Sequence, residues 1–138
     1  MITVILLSHG GMAEGMEEST RMLIGEQPGL TSITFEQGDG VDDLTAKLEA
    51  CLKTALKKGE VIIMTDIPNG TPFNCVCRLA EHYKFHHMTG MNLPMVIDVV
   101  SQLSDRAVAG ELCRQTLEPS REAIKDVHAW MKELGILE

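Results

Sequence analysis

Two residues in this chain sit where chemistry gathers in an open α/β sheet: His9 and Asp66. His9 follows the apolar run Ile2-Thr3-Val4-Ile5-Leu6-Leu7 and opens the small-residue turn Ser8-His9-Gly10-Gly11. Asp66 follows a second such run, Val61-Ile62-Ile63-Met64. Short runs rich in branched residues, closed by turn signals, read as buried parallel strands. Ligands and reacting groups collect at the carboxyl ends of such strands, most of all where the strand order reverses. If the two strands are neighbours there, Asp66 can accept from the Nδ1–H of His9. That bond fixes the tautomer and leaves Nε2 free to attack. His9 as a satisfied structural histidine, and Asp66 as a turn residue of its own loop, are the alternatives on residue type alone.

The loop after Asp66 adds an anion-binding element. Asn69-Gly70 tolerates positive φ, and Thr71-Pro72 reads as a helix start, Thr71 the N-cap and proline at the first helical position. Free N–H groups at such a start, with the Thr71 hydroxyl, can hold phosphoryl oxygens. The N–H groups of Gly10 and Gly11 are candidates for the same task. There is no G-x-x-x-x-G-K-[ST] and no G-x-G-x-x-G, so the pattern is not that of a nucleotide site. Met12 and Met16 are candidates for an adaptable apolar patch facing a partner, or equally for helix core.

Those side chains need a scaffold, and the chain supplies alternating elements. Helix is expected over Met12–Ile24, strand over Leu30–Phe35, and helix from Asp42-Asp43 to Leu56, stopped by Lys57-Lys58-Gly59. After the Val61–Met64 strand come helix over Phe73–Tyr83, strand over Phe85–Thr89 and helix over Pro94–Leu103. Arg106–Leu137 reads as helix, interrupted at Glu118-Pro119-Ser120. The expected fold is a doubly wound, mostly parallel α/β sheet of about four strands in the order 2-1-3-4, with helices on both faces. The whole of residues 1–138 is read as one domain.

Composition narrows the function classes. A net charge of −8 argues against a nucleic-acid partner, which would require clustered Lys and Arg. The four cysteines, Cys51, Cys75, Cys77 and Cys113, lack zinc or disulfide spacing and read as reduced small hydrophobes in a cytoplasmic protein. His86 and His87 are adjacent on a strand and face opposite sides, while His82 and His128 have no companion ligands, so no metal site is expected. No magnesium cage and no other cofactor is expected either. No apolar stretch is long enough to span a bilayer and no signal peptide is evident.

Three segments together resemble a known family. Ser8-His9-Gly10, then Asp66-Ile67-Pro68-Asn69-Gly70-Thr71-Pro72-Phe73-Asn74, then Thr89-Gly90-Met91-Asn92-Leu93-Pro94-Met95 are similar to the mannose-type enzyme IIA domain of the bacterial sugar phosphotransferase system. The resemblance runs from Met1 to roughly Leu117. It implies that His9 is phosphorylated on Nε2 by phospho-HPr and passes the group to a histidine of enzyme IIB, with the membrane components IIC and IID served indirectly. It implies that Asp66 orients and stabilises His9 and that the Thr71 region lines the site. It also implies a homodimer with a swapped, antiparallel C-terminal edge strand, in which Ile124 and Val127 help bury the interface. Composition, in contrast, makes Arg121–Trp130 helical. Family members usually carry Gly-Gly before the Thr or Ser of the loop, where this chain has Asn69-Gly70 after Pro68. Asparagine tolerates positive φ, so the loop is expected to keep its shape.

Three other functions compete. The phosphotransfer subunit of dihydroxyacetone kinase shares the fold and the strand-end histidine but lacks the Thr-Pro-Phe-Asn loop. A non-catalytic phosphorylatable regulatory domain would be expected beside a DNA-binding or ATPase segment, and none is present in the sequence. A flavodoxin-type binding module would need rings to stack on a flavin, and aromatic residues make up only 4% of the chain.

Overall fold

The computed structural model describes all residues from Met1 to Glu138. Four strands, β1 (Ile2–His9), β2 (Leu30–Phe35), β3 (Glu60–Thr65) and β4 (His86–Met88), form one parallel sheet in the order β2-β1-β3-β4. The six helices are α1 (Met12–Ile24), α2 (Val41–Leu56), α3 (Thr71–Leu79), α4 (Leu93–Val100), α5 (Ala109–Glu122) and α6 (Val127–Glu133).

The sheet has helices on both faces because its central strands are apolar on both sides. Alternate residues of β1 and β3 (Val4, Leu6, Ile62, Met64) pack with α1, α4 and α5. The intervening ones (Ile5, Leu7, Val61, Ile63) pack with α2 and α3, where Leu44, Leu48 and Leu52 form the apolar stripe expected of α2. Chain direction along the sheet reverses at β1 and β3: β1 continues through α1 to β2 on one side, β3 through α3 to β4 on the other. The crevice between their carboxyl ends is the switch point. Leu7 lies opposite Thr65 in the register, so His9 and Asp66 both emerge there.

Several boundaries differ from the sequence expectations. His9 is the last residue of β1, not the turn beyond it, because it still pairs with Phe35 of β2. The helix expected over Phe73–Tyr83 starts earlier and stops at Leu79, the strand expected over Phe85–Thr89 keeps only His86–Met88, and the helix expected to Leu103 ends at Val100. The interruption at Glu118-Pro119-Ser120 is corrected: α5 runs through Pro119 to Glu122. Proline there loses one backbone bond. The turn is held from outside by Asn92 Nδ2 donating to the Ser120 carbonyl at 3.1 Å, and within the helix by the Thr116–Ser120 hydroxyl contact at 3.1 Å. The break falls instead at Ile124–Asp126, where the Asp126 carboxylate caps the start of α6 by accepting from Ala129 N–H. In the single chain, Arg121–Trp130 is therefore the end of α5, a short extended link and the start of α6. None of the residues of α6 is buried.

Candidate functional site

The site is built from three strand-to-helix connections at the switch point. At the end of β1, the buried Ser8 hydroxyl accepts the Ala13 N–H at 2.7 Å, tying the start of α1 to the strand. Gly10 takes φ 56°, a left-handed turn that suits glycine, and its N–H is donated to the Phe35 carbonyl at 2.7 Å. His9 is thereby turned outward at the top of the sheet, its side chain 45% exposed.

Asp66 meets it from β3. One carboxylate oxygen, Oδ2, accepts both the His9 backbone N–H at 3.0 Å and ring Nδ1 at 2.7 Å. The Asp66 side chain is about nine-tenths buried. Its Oδ1 is buried without a well-formed hydrogen bond, and the Ile67 N–H lends only a weaker electrostatic hold. Burial alone pushes the Asp66 carboxyl up. The His9 N–H, the His9 ring and the Ile67 N–H outweigh it together, so the group lies below the usual carboxylate range and is ionised at neutral pH. An ionised acceptor on Nδ1 selects the Nδ1–H tautomer and leaves Nε2 as the nucleophilic nitrogen.

The loop from Ile67 to Gly70 carries the third connection. Asn69 has φ 66°, the only non-glycine residue in the left-handed region, as its residue type allows. Thr71, expected as the N-cap of α3, is instead the helix's first residue. Gly70 occupies the cap position and offers no side-chain hydrogen bond. Thr71 and Phe73 N–H make no well-formed hydrogen bond within the chain, and neither does Gly11 N–H at the start of α1. Two helix starts thus bring unpaired donors to the crevice around His9, the arrangement that attracts an anion.

Of the residues expected around a phosphate, Gly11 and Thr71 have N–H groups free of hydrogen bonds within the chain. Gly10 is corrected: its N–H is spent on Phe35, so its contribution is the turn. Of the two methionines, Met12 is 40% exposed, while Met16 packs against the core. Four residues went unassigned in the sequence reading. Ser8 anchors α1, and Phe35 meets the imidazole edge-on with ring centroids 6.2 Å apart. Ile67, 53% exposed, lies close to Gly70, and Gly70 lies against the ring. Ser8, Ile67 and Gly70 had a signal, their place inside the motif segments; Phe35 had none.

The remaining histidines and cysteines stand apart. His86 and His87 lie on β4; His87 Nε2 contacts the buried Thr65 hydroxyl at 2.8 Å, and its ring meets that of Phe73 at a tilt, centroids 5.0 Å apart. Burial holds His87 below the usual histidine range. Burial also raises the thiols of Cys51 and Cys113, the latter to about 11, which makes both poor nucleophiles. Cys75 is buried and Cys77 exposed, so they share no face of α3. No group of three or more His, Cys, Asp or Glu side chains gathers to hold a metal, and no helix is long and apolar enough to cross a membrane.

Comparison with known proteins gives a consistent result. The family model EIIA-man, described as the PTS system fructose IIA component, matches residues 3–117. The fructose-specific EIIA component of Bacillus subtilis (strain 168) is 34% identical over 102 residues, covering 73% of this chain and 70% of that protein. The mannose-specific EIIAB component of Escherichia coli (strain K12) is 32% identical over 132 residues, covering 93% of this chain but 40% of the longer relative. Among solved structures, phosphotransferase system component EIIA from Streptococcus agalactiae superposes with a TM-score of 0.84 at 26% identity, over 94% of this chain and 99% of that one. The mannose/sorbose specific IIA subunit from Enterococcus faecalis gives 0.78 at 28%, over 89% and 92%.

Proposed function

The chain belongs to the EIIA-man family, the mannose-type IIA components of the sugar phosphotransferase system, and on that premise we propose that His9 is its phosphoryl-carrying residue. The donor is phospho-HPr and the acceptor a histidine of enzyme IIB. The observation that carries this reading is the single Asp66 oxygen that holds both His9 N–H and Nδ1, leaving Nε2 outward beside two helix starts with free N–H groups.

In the proposed step, the Nε2 lone pair of His9 attacks the phosphorus of the donor's phosphohistidine. A new N–P bond forms as the donor's N–P bond breaks, and the bonding pair returns to the donor's ring nitrogen. The His9 ring gains positive charge while Nδ1 keeps its proton, and ionised Asp66 stabilises that charge. The unpaired N–H groups of Gly11, Thr71 and Phe73, with the Thr71 hydroxyl, are the donors assigned to the phosphoryl oxygens in this reading. Transfer to enzyme IIB is the same step with His9 as the leaving group. Such transfer rests on positioning and charge stabilisation, since the protein has little covalent work to do. Met12, Ile67 and Phe35 form the apolar surround on which a partner would seat and exclude water.

The proposed assembly is a homodimer. Ile124, Val127, Trp130, Leu134 and Ile136 are all exposed on a C-terminal segment whose helix buries nothing, and a second copy of the chain is the occupant we assign to that surface. The test of the relay is incubation with phosphoenolpyruvate, enzyme I and HPr. Acid-labile, base-stable label on the wild-type chain, absent from His9→Ala, is expected. Label that survives His9→Ala overturns the assignment.

A further inference from the structure

A hydrogen bond to Nδ1 fixes one corner of an imidazole but leaves the ring free to tilt about that corner. For a half-exposed side chain whose other nitrogen must point along a line of attack, tilt matters. Phe35 limits it on one edge. The second limit is backbone. A Cβ built on Gly70 would lie 2.7 Å from His9 Cε1 and 3.3 Å from Nε2, with Ile67 Cγ1 at 3.5 Å. Contacts under 3.0 Å are ones that real Cβ atoms essentially never show. Gly70 itself has φ −98° and ψ 173°, extended backbone that any residue adopts. Its conformation therefore does not call for glycine; the space occupied by the His9 ring does. Asn69, at φ 66°, makes the left-handed turn that brings Gly70 to this place.

We infer that Gly70 is a positioning residue: its missing side chain is the seat of the His9 imidazole, and it sets the tilt at which Nε2 leaves the crevice. A methyl group at this position forces the ring back by about 1 Å to reach an ordinary carbon–carbon separation. The 2.7 Å contact between Nδ1 and Asp66 has no slack for that movement, so the bond that selects the tautomer is stretched or tilted. The atoms nearest the methyl belong to two side chains and not to packed backbone, so the fold is retained. The kinetic consequence rests on the relay reading; the ring geometry does not.

The test is Gly70→Ala, with nitrogen-15 labelled histidine and long-range proton–nitrogen NMR on the protein alone at neutral pH. The wild type is expected to show His9 predominantly in the Nδ1–H tautomer, and the variant to show shifts moved toward the tautomer mixture of a free imidazole. Phosphorylation by phospho-HPr is expected to slow by roughly 100-fold, the usual cost of a misplacement of about 1 Å. Gly15→Ala, whose Cβ meets open space within α1, is the matched control and leaves both readouts unchanged. Ile67→Ala combined with Gly70→Ala gives the methyl room to move off the ring and restores much of the wild-type tautomer signal. Wild-type ring signals in Gly70→Ala overturn the inference, as does a slowed reaction with an undisturbed ring. A Gly70→Ala chain that fails to fold also overturns it. Absence of phosphorylation in the wild type would sink the relay reading and leave the tautomer comparison standing.

Discussion

Replacing Asp66 by asparagine separates what its charge does from what its shape does. Both donors of His9 go to the single atom Oδ2. An asparagine with its carbonyl oxygen in that place keeps both hydrogen bonds and the Nδ1–H tautomer. Its amide nitrogen then takes the position of Oδ1, which has no well-formed partner in the native site. What is lost is the negative charge that faces the imidazolium forming during transfer. Two unit charges about 4 Å apart interact by roughly 4 kcal/mol at an effective dielectric of about 20. The ring is 45% exposed, and solvent screening of that degree leaves about half, roughly 2 kcal/mol. At about 1.4 kcal/mol per decade, Asp66→Asn should slow phosphorylation of His9 by roughly 30-fold. Asp66→Ala removes the two hydrogen bonds as well and costs roughly another factor of ten. Quenched-flow transfer from phospho-HPr, scored as acid-labile label, measures both. An asparagine variant within twofold of wild type would refute the electrostatic argument. Equal rates for the two variants would refute the separate role given to geometry.

The remaining predictions concern stability and assembly. Asp66 is depressed in the folded state below its ordinary value of 3.8, the value that holds when the chain is unfolded. Its stabilisation is therefore complete above that value and lost as pH falls through the lower folded one. Urea midpoints of wild type and Asp66→Asn should keep a constant gap at neutral and mildly acidic pH, then converge at lower pH; a gap that widens on acidification contradicts the assigned direction. Ser8→Ala leaves the buried Ala13 N–H without its acceptor and should cost about 1–2 kcal/mol in urea unfolding, with a loss under about 0.3 kcal/mol excluding the capping role. Leu48→Ala empties a fully buried site between α2 and the sheet and should cost about 2–5 kcal/mol by the same assay. The double substitution Ile124→Lys, Val127→Lys should convert a sedimenting dimer to monomer without changing the chain's helix content. A wild-type chain that sediments as monomer at high micromolar concentration refutes the assembly.

The pairing of His9 with Asp66 is legible because it depends on strand ends alone. Two apolar runs ending in His and Asp, on strands separated in sequence by the α1-β2-α2 unit, can be placed side by side by the handedness and order rules of parallel sheets. The helix start at Thr71-Pro72 is legible to within one residue, since proline marks the first turn but does not say which neighbour is the cap. Pro119 is the contrary case. Local propensity reads it as a break, while the hold of Asn92 on the Ser120 carbonyl lies 28 residues away in sequence. Gly10 fails for a similar reason: a glycine's residue type says that its backbone can turn, not that its N–H will be claimed by Phe35 from the neighbouring strand. Met16 and Met12, four residues apart on α1, divide between core and surface by a rotation that periodicity resolves only coarsely.

The site's mixture of exposure and constraint follows from the task proposed for it. A group that must be handed from one protein to another has to sit at the surface, and a surface imidazole is normally free to rotate. Here the freedom is removed from within the chain. Asp66 is nine-tenths buried and holds Nδ1, while the ring itself fills the space a side chain on Gly70 would take. Ser8, fully buried, fixes the helix start beside His9 without reaching the surface itself. The acceptor nitrogen is thus oriented before any partner arrives, and docking need supply only the donor and the exclusion of water. That division predicts separable phenotypes. Substitutions at Asp66 and Gly70 should slow transfer at saturating HPr, whereas substitutions at exposed Met12 and Ile67 should raise the HPr concentration needed for half-maximal rate and leave the saturated rate near wild type. An Ile67→Ser chain that lost its saturated rate at unchanged HPr dependence would show that the apolar surround acts on the ring instead of on the partner.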